Sequence, residues 1–292
     1  MKNIFKIKTA ITFAIIVTLF NCSSDDDTLT EPQNTMTISN FEASINENPL
    51  AGQSIGTIES NAIGTASFSL TSQMPAGALE IDAATGEITV LDASLFDFET
   101  NSTVTAIVSS TTTANTATVT INLENINEIG DYNHGGVIFW IDPTDDSKGL
   151  VCAISDQTSG VRWDNPTGPA TTAPGTSINL GTGLSNTNTI IAHEGGDQTT
   201  YAAGIAKAFN GGGFTDWFLP SVDEVAEMNT NKTIINTVSS NNGGTILPDQ
   251  LWTSSKIDST NESVYLYNLV LDSPNGVLPI NSRSVRAVRA FE

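Results

Sequence analysis

The sequence predicts an all-β sandwich followed by an α+β domain, and three observations lead there. Segments up to about residue 128 alternate apolar and polar residues and are broken by turn residues every ten or so positions, as in a β-sandwich. After Ile129 the pattern changes to two continuous apolar runs, Gly136 to Ile141 and Gly149 to Ile154. Two helical signatures then appear, one over Thr200 to Phe209 and one starting at Ser221. The domain organisation read from these changes is 1–21 as a signal peptide, 22–35 as an acidic tether, 36–128 as the sandwich and 129–292 as the α+β domain.

The first 21 residues have a basic start and then an apolar run from Ala10 to Phe20, too short to span a bilayer. Leu19-Phe20-Asn21-Cys22 resembles a bacterial lipobox, which implies that Cys22 is lipidated and becomes the new N-terminus. Ser23-Ser24-Asp25-Asp26-Asp27 resembles the export signal of Bacteroidetes-type lipoproteins, which implies an outer-membrane lipoprotein facing the cell exterior. Read from composition alone, the Ser/Asp/Thr tract is a solvated tether.

In the sandwich region the clearest strand is Thr116 to Leu123. Its odd positions Ala117, Val119, Ile121 and Leu123 are apolar and its even positions are polar, so one face is buried. Val104, Ala106 and Val108 repeat the pattern, as do Phe68 and Leu70. Four motifs follow one another in this region: Glu47-Asn48-Pro49; Leu79 to Ile88; Phe96-Asp97-Phe98-Glu99; and Glu124-Asn125-Ile126-Asn127-Glu128. In that order they resemble a bacterial cadherin-like repeat over about residues 36–128. The resemblance implies Ca²⁺ as a cofactor, with Glu47, Asp97, Glu99 and Glu124 as ligands and Asn127 and Glu128 in the closing linker. Glu59-Ser60-Asn61-Ala62 stands where the family has an Asp-x-Asp motif. Two readings of these carboxylates stand open, a calcium site and a solvated acidic edge.

Ile129 to His134 reads as a hinge. The two apolar strands beyond it are joined by the polar turn Asp142 to Lys148, which lacks the spacing and central glycine of an EF-hand loop. A loop without periodicity runs from Asn165 to Asn188. Asn210-Gly211-Gly212-Gly213 then stops the first helix. Ser221 is read as the N-cap of the second, with Glu224 closing a capping box. Three strands follow, Leu251 to Ser255, Val264 to Leu271 and Ser284 to Phe291, and the early and late strands are expected to pair. Gly136 to Trp140, Asp216-Trp217-Phe218-Leu219-Pro220-Ser221, Leu251-Trp252-Thr253-Ser254-Ser255 and Val285-Arg286-Ala287-Val288-Arg289 resemble the C-terminal domain of the Legionella collagen-like adhesin family. That resemblance implies a C-type-lectin-like fold over about residues 130–292 and a surface or secreted binding module, in some members for glycans.

The net charge is −21, and from Cys22 onward 8 basic residues face 32 acidic ones. Such a chain is repelled by phosphate backbones, which excludes nucleic acid as a partner and sets aside binding of sulfated glycans through basic residues. No phosphate-loop, nucleophile-elbow or dinucleotide fingerprint is present. Cys152 lies in an apolar run and reads as a buried thiol, while His134 and His193 read as surface or supporting residues. Arg283, Arg286 and Arg289 read as partners of the acidic excess, and Trp140 and Trp217 as core. Trp252, Asn261, Tyr265 and Tyr267 are the candidate ligand-binding residues, with rings able to stack on sugars and polar loops over Lys256 to Ser263 and Ser273 to Ser282. The expected function is a non-enzymatic, lipid-anchored surface protein that binds carbohydrate or another surface protein. The competing classes are a structural stalk subunit of an envelope complex, and a hydrolase or modifying enzyme.

Overall fold

The structure is a computed structural model that describes residues 37–61, 66–169, 173–195, 198–258 and 262–292. The signal segment, Cys22, the tether to residue 35 and Asn261 lie outside the described residues. The chain divides into two compact units. Among the described residues, the first comprises those of 37–43, 51–91 and 105–120, the second those of 44–50, 92–104 and 121–292. No described helix is long and apolar enough to cross a membrane.

The strands of the sandwich are β1 (Phe41–Asn46), β2 (Ser54–Thr57), β3 (Phe68–Met74), β4 (Leu79–Ile81), β5 (Glu87–Val90), β6 (Thr103–Ser110) and β7 (Ala117–Glu124). They form one sheet in the order β1-β7-β6-β3 and another in the order β2-β5-β4. The alternation read in the sequence becomes burial here. Ala117, Val119, Ala106 and Val108 are buried, and they join Phe68, Leu79, Ile88 and Val90 in the interior of the first unit. A β-sandwich is what such one-sided strands build, because each sheet needs a second apolar face to cover its own.

Downstream, β8 (Tyr132–Asn133), β9 (Gly136–Asp142), β10 (Asp145–Cys152) and β11 (Thr158–Val161) precede the helices α1 (Gly183–Glu194), α2 (Ala202–Ala208), α3 (Val222–Thr230) and α4 (Lys232–Asn241). Then come β12 (Gln250–Lys256), β13 (Val264–Asn268), β14 (Ser273–Val277), β15 (Arg283–Val285) and β16 (Val288–Phe291). The sheet orders are β16-β10-β9-β8 and β11-β15-β12-β13-β14. The early and late strands do pair, with Gly149 opposite Phe291 and Cys152 opposite Val288. One core gathers Trp163, Trp217, Trp252, Ile190 and Tyr201, and another gathers Phe139, Val225, Met228, Ile235 and Leu251. Cys152 is fully buried, and loss of solvent pushes its thiol up to about 12, which leaves it protonated and inert.

The capping box forms as read. Ser221 Oγ accepts the Glu224 N–H at 3.3 Å, and Glu224 Oε2 accepts the Ser221 N–H at 2.8 Å. Glu224 also reaches α1, a helix that begins inside the stretch read as loop. Its Oε1 accepts the N–H of Gly183 at 3.1 Å, at the first residue of α1. One carboxylate thus closes the starts of two helices, where the orphan N–H groups and the helix dipoles favour negative charge. Only glycine fits at 183, since a Cβ there would lie 2.2 Å from Glu224 Oε2. Burial nonetheless raises the Glu224 carboxyl to about 7.

Ser221→Ala is expected to lower stability by about 1 kcal/mol. Glu224→Ala is expected to cost more, about 2 to 4 kcal/mol, because it strands two buried N–H groups. Chemical denaturation of both variants checks this order. Equal losses would mean that Glu224 acts on α3 alone.

Candidate functional site

The carboxylates singled out in the sequence converge at one place in the second unit, where the segments 44–50, 92–104 and the chain from 121 onward meet. Glu47 lies there almost fully buried at 2% exposure. Its Oε2 accepts the N–H of Phe98 at 2.7 Å, and its Oε1 accepts the N–H of Ile126 at 2.8 Å. Its own N–H donates to the Glu124 carbonyl at 3.1 Å, and the N–H of Asn48 donates to the Phe96 carbonyl at 2.8 Å. These four bonds tie together three stretches that lie far apart in the chain.

That arrangement carries Asp97 and Glu99, which flank Phe98, to the same spot. Carboxylate oxygens of Glu47, Asp97 and Glu99 lie within 4.8 Å of one another, and a second group with the same spacing contains Glu99, Glu128 and Asp131. Glu99 belongs to both. Asp97 is steadied by Thr100, whose N–H and Oγ1 each donate to it at 3.0 Å. Asn125 Nδ2 donates to Glu99 Oε1 at 2.6 Å, and Asn48 Nδ2 donates to Glu128 Oε1. The Glu128 N–H donates to Asp131 Oδ2 at 2.9 Å.

Glu124 is placed differently from the other predicted ligands. Its side chain is exposed and belongs to neither group, and it enters the arrangement through its backbone carbonyl. Asp131 takes part although the sequence reading left it in a hinge. Asn127 points elsewhere, with Nδ2 donating to the Asp146 carbonyl and Oδ1 facing His134 Nε2 at 2.9 Å.

The electrostatics of the group are unfavourable as it stands. Burial pushes the carboxyls of Glu99, Glu128 and Asp131 above the ordinary range, and the charge of Glu47 pushes all three further. Two such charges repel by about 1 kcal/mol per pair in water and by roughly 3 kcal/mol at an effective dielectric near 20, with the exposed Glu99 toward the lower figure. Every donor in the set is a hard oxygen, which suits Ca²⁺ or Mg²⁺ rather than zinc or copper. A carboxylate has about four lone-pair positions, so Glu47 can still ligate beyond the two N–H bonds that it accepts.

The proposed sugar-stacking residues are corrected by their burial. Trp252 is fully buried, with Nε1 donating to the Val161 carbonyl at 2.7 Å, and Tyr267 is 4% exposed, with its hydroxyl donating to Asp272 Oδ1 at 2.8 Å. The cause is position in the sheet. β12 and β13 are interior strands of the five-stranded sheet, and six of the seven residues of β12 are buried. Neither ring offers a face to a ligand. Tyr265 is half-buried against the same core, and Asn261 lies outside the described residues. Arg286 is fully buried, with Nε donating to Asp156 at 2.7 Å and its other nitrogens reaching the carbonyls of Ala153, Thr245 and Ile246. Arg289 pairs with Asp216 at 2.5 Å.

No family model and no curated protein matches this chain. Among solved structures, the third cadherin domain of human protocadherin 7 is similar at 20% identity and a TM-score of 0.28, over 36% of this chain and 93% of that one. Cadherin domains 3–6 of protocadherin gamma B2 are similar at 13% identity and a TM-score of 0.30, over 49% of this chain and 28% of that one. For domains 1–2 of chicken VE-cadherin the values are 22% and 0.25, over 30% of this chain and 48% of that one. The chain thus spans less than half the length of the last two.

In the absence of calcium, the raised carboxyls make the folded chain bind more protons than the unfolded one just above the ordinary carboxylate range. Their contribution is therefore most favourable at low pH and is lost as pH rises through the raised values. Asp131→Asn removes one like charge, and its Oδ1 can still accept the Glu128 N–H. It is expected to stabilise the calcium-free chain at pH 7 by about 1 kcal/mol. Thermal melts in chelator against pH check this, and an unchanged or lower melting temperature would contradict it.

Proposed function

We propose that this chain is a lipid-anchored recognition protein of the outer cell surface, with a cadherin-like sandwich that binds Ca²⁺ and a C-type-lectin-like domain that carries the ligand site. The observation that carries the calcium reading is the convergence of Glu47, Asp97, Glu99, Glu128 and Asp131 from three remote stretches, three of them with raised carboxyls. A divalent cation converts that mutual repulsion into attraction. Glu47, Asp97 and Glu99 would hold it, with Glu128 and Asp131 available to a second ion through the shared Glu99.

Anchoring rests on the sequence around Cys22. The lectin-like reading is supported by the pairing of β10 with β16 and by four helices that lie between the early and late strands in the sequence. Binding rather than catalysis is supported by the placement of Cys152 in the core, where its thiol is out of reach of a substrate. The sandwich is read as a spacer on the anchored chain.

Calcium that binds only the folded state stabilises it by RT ln(1 + [L]/Kd), about 2.7 kcal/mol at a hundredfold excess over Kd. The melting temperature is expected to rise in millimolar Ca²⁺, and Glu99→Gln, which touches both groups at an exposed position, is expected to abolish most of the rise. A wild-type melt indifferent to Ca²⁺ would leave only an acidic edge. Acyl-analogue labelling that marked wild type and Cys22→Ser equally would remove the anchor.

A further inference from the structure

A pocket of about 450 Å³ opens beside α1 and the ends of β12 and β13, shares no residue with the carboxylate group, and is in the size range of sites for small organic ligands. Its charged lining consists of Arg162, Asp164, Glu194, Lys256 and Glu262. Two of these are ionisable groups at least nine-tenths buried, Lys256 at 2% exposure and Glu194 at 6%. Arg162 and Asp164 form a two-point pair, with Nε to Oδ1 at 2.9 Å and Nη2 to Oδ2 at 2.8 Å. Lys256 Nζ donates to the Asp258 carbonyl. Leu278, Pro279 and Ile280 add apolar surface to the same lining, with Leu278 49% and Ile280 57% exposed.

The pocket is rigidly built. Trp163, between the paired Arg162 and Asp164, is held at both ends. Its N–H donates to the Pro279 carbonyl at 2.8 Å, and its Nε1 donates to the Thr253 carbonyl at 2.8 Å. The buried Asn165 fixes Glu194. Its N–H donates to Glu194 Oε2 at 3.0 Å, and its Nδ2 donates to the carbonyls of Glu194 and Gly195 at 3.1 and 3.0 Å. The loop lies so close to the carboxylate that a Cβ at Gly168 would come within 2.8 Å of Glu194 Oε2. Polar groups held this way meet a ligand without further ordering cost.

The geometry points to this pocket as a binding site for a neutral saccharide, and this rests on the reading of the chain as a recognition protein. Charge balance selects the class. Among the described residues the lining has two cations, Arg162 and Lys256, against three anions, Asp164, Glu194 and Glu262, within a chain of net charge −21. A sulfated, phosphorylated or sialylated ligand would meet net negative charge both at a distance and on arrival. A polyol gains from both signs, since each hydroxyl donates to a carboxylate and accepts from an ammonium or guanidinium. The apolar surface suits the C–H face of a sugar ring. Lys256 and Glu262 come from the first stretch read as a polar loop in the sequence, and Leu278 to Ile280 from the part of the second that follows β14.

The test is an array of neutral, sialylated and sulfated oligosaccharides probed with the whole chain, followed by calorimetry with the strongest neutral hit in Ca²⁺ and in chelator. Neutral saccharides are expected to bind. Affinity should fall at least tenfold in Arg162→Gln and in Asp164→Asn, at partly exposed positions where melting temperature should hold, and Lys256→Met should show the same loss. Binding of acidic glycans alone, or neutral binding that none of the three variants weakens, would overturn the assignment. Silence on the array while the chain still captures a surface protein from intact cells would overturn it too and leave the recognition reading standing. Silence in both would overturn the two together.

Discussion

Glu224 is the interaction on which the second unit is built. A buried carboxylate needs hydrogen-bond donors, and this one finds them at the first turns of α1 and α3 through Gly183 and Ser221. The same segment is bound on every side. Leu219 exchanges bonds with Thr187 of α1, Phe218 pairs with Val288 of β16, and the Pro220 carbonyl accepts the N–H of Ser254 in β12. Helices and both sheets of this unit therefore take their places around residues 218–224. Arg286 repeats the principle with opposite sign, its buried guanidinium satisfied by Asp156 and by carbonyls from two remote segments.

The carboxylates around Glu47 pose the opposite case. Glu47 itself is satisfied by two backbone N–H groups, but its neighbours add like charge faster than the surroundings add donors. Glu224 is a carboxylate whose partners are all in the chain; Glu99, Glu128 and Asp131 are carboxylates with too few. That contrast is what favours the proposed cation site over a solvated acidic edge.

Much of the fold was legible because its signals are local. The capping box sits within four residues and the alternation in β7 within eight, while α2 stops at Ala208, where Phe209 turns extended, just before the turn of Gly211 to Gly213. What escaped was set by tertiary contact. α1 starts with Gly183-Leu184-Ser185-Asn186-Thr187, mostly weak helix formers, and Thr182 at its N-cap makes no side-chain capping bond; its start is completed by Glu224, 41 residues away. Trp252 and Tyr267 have the residue types of a sugar platform, but their strands lie inside a sheet, a fact that periodicity cannot supply. The family order of motifs brought out Glu47, Asp97 and Glu99. Asp131 lies past the last of those motifs and was missed, and Glu124 contributes a carbonyl that no motif distinguishes from a carboxylate. The saccharide pocket draws on four separate stretches of chain, so no single stretch announces it.

The central claim is that the Glu47 group is a cation site and not a solvated edge, and counting bound calcium tests it most directly. Equilibrium dialysis of the whole chain against Ca²⁺ at constant ionic strength is expected to show one or two saturable ions in the submillimolar to millimolar range usual for extracellular sites. Glu99→Gln should lower that number while a charge-matched change at the exposed Glu124, Glu124→Gln, leaves it intact. Binding that never saturates, or that both substitutions weaken alike, would mean that the carboxylates act only as diffuse surface charge.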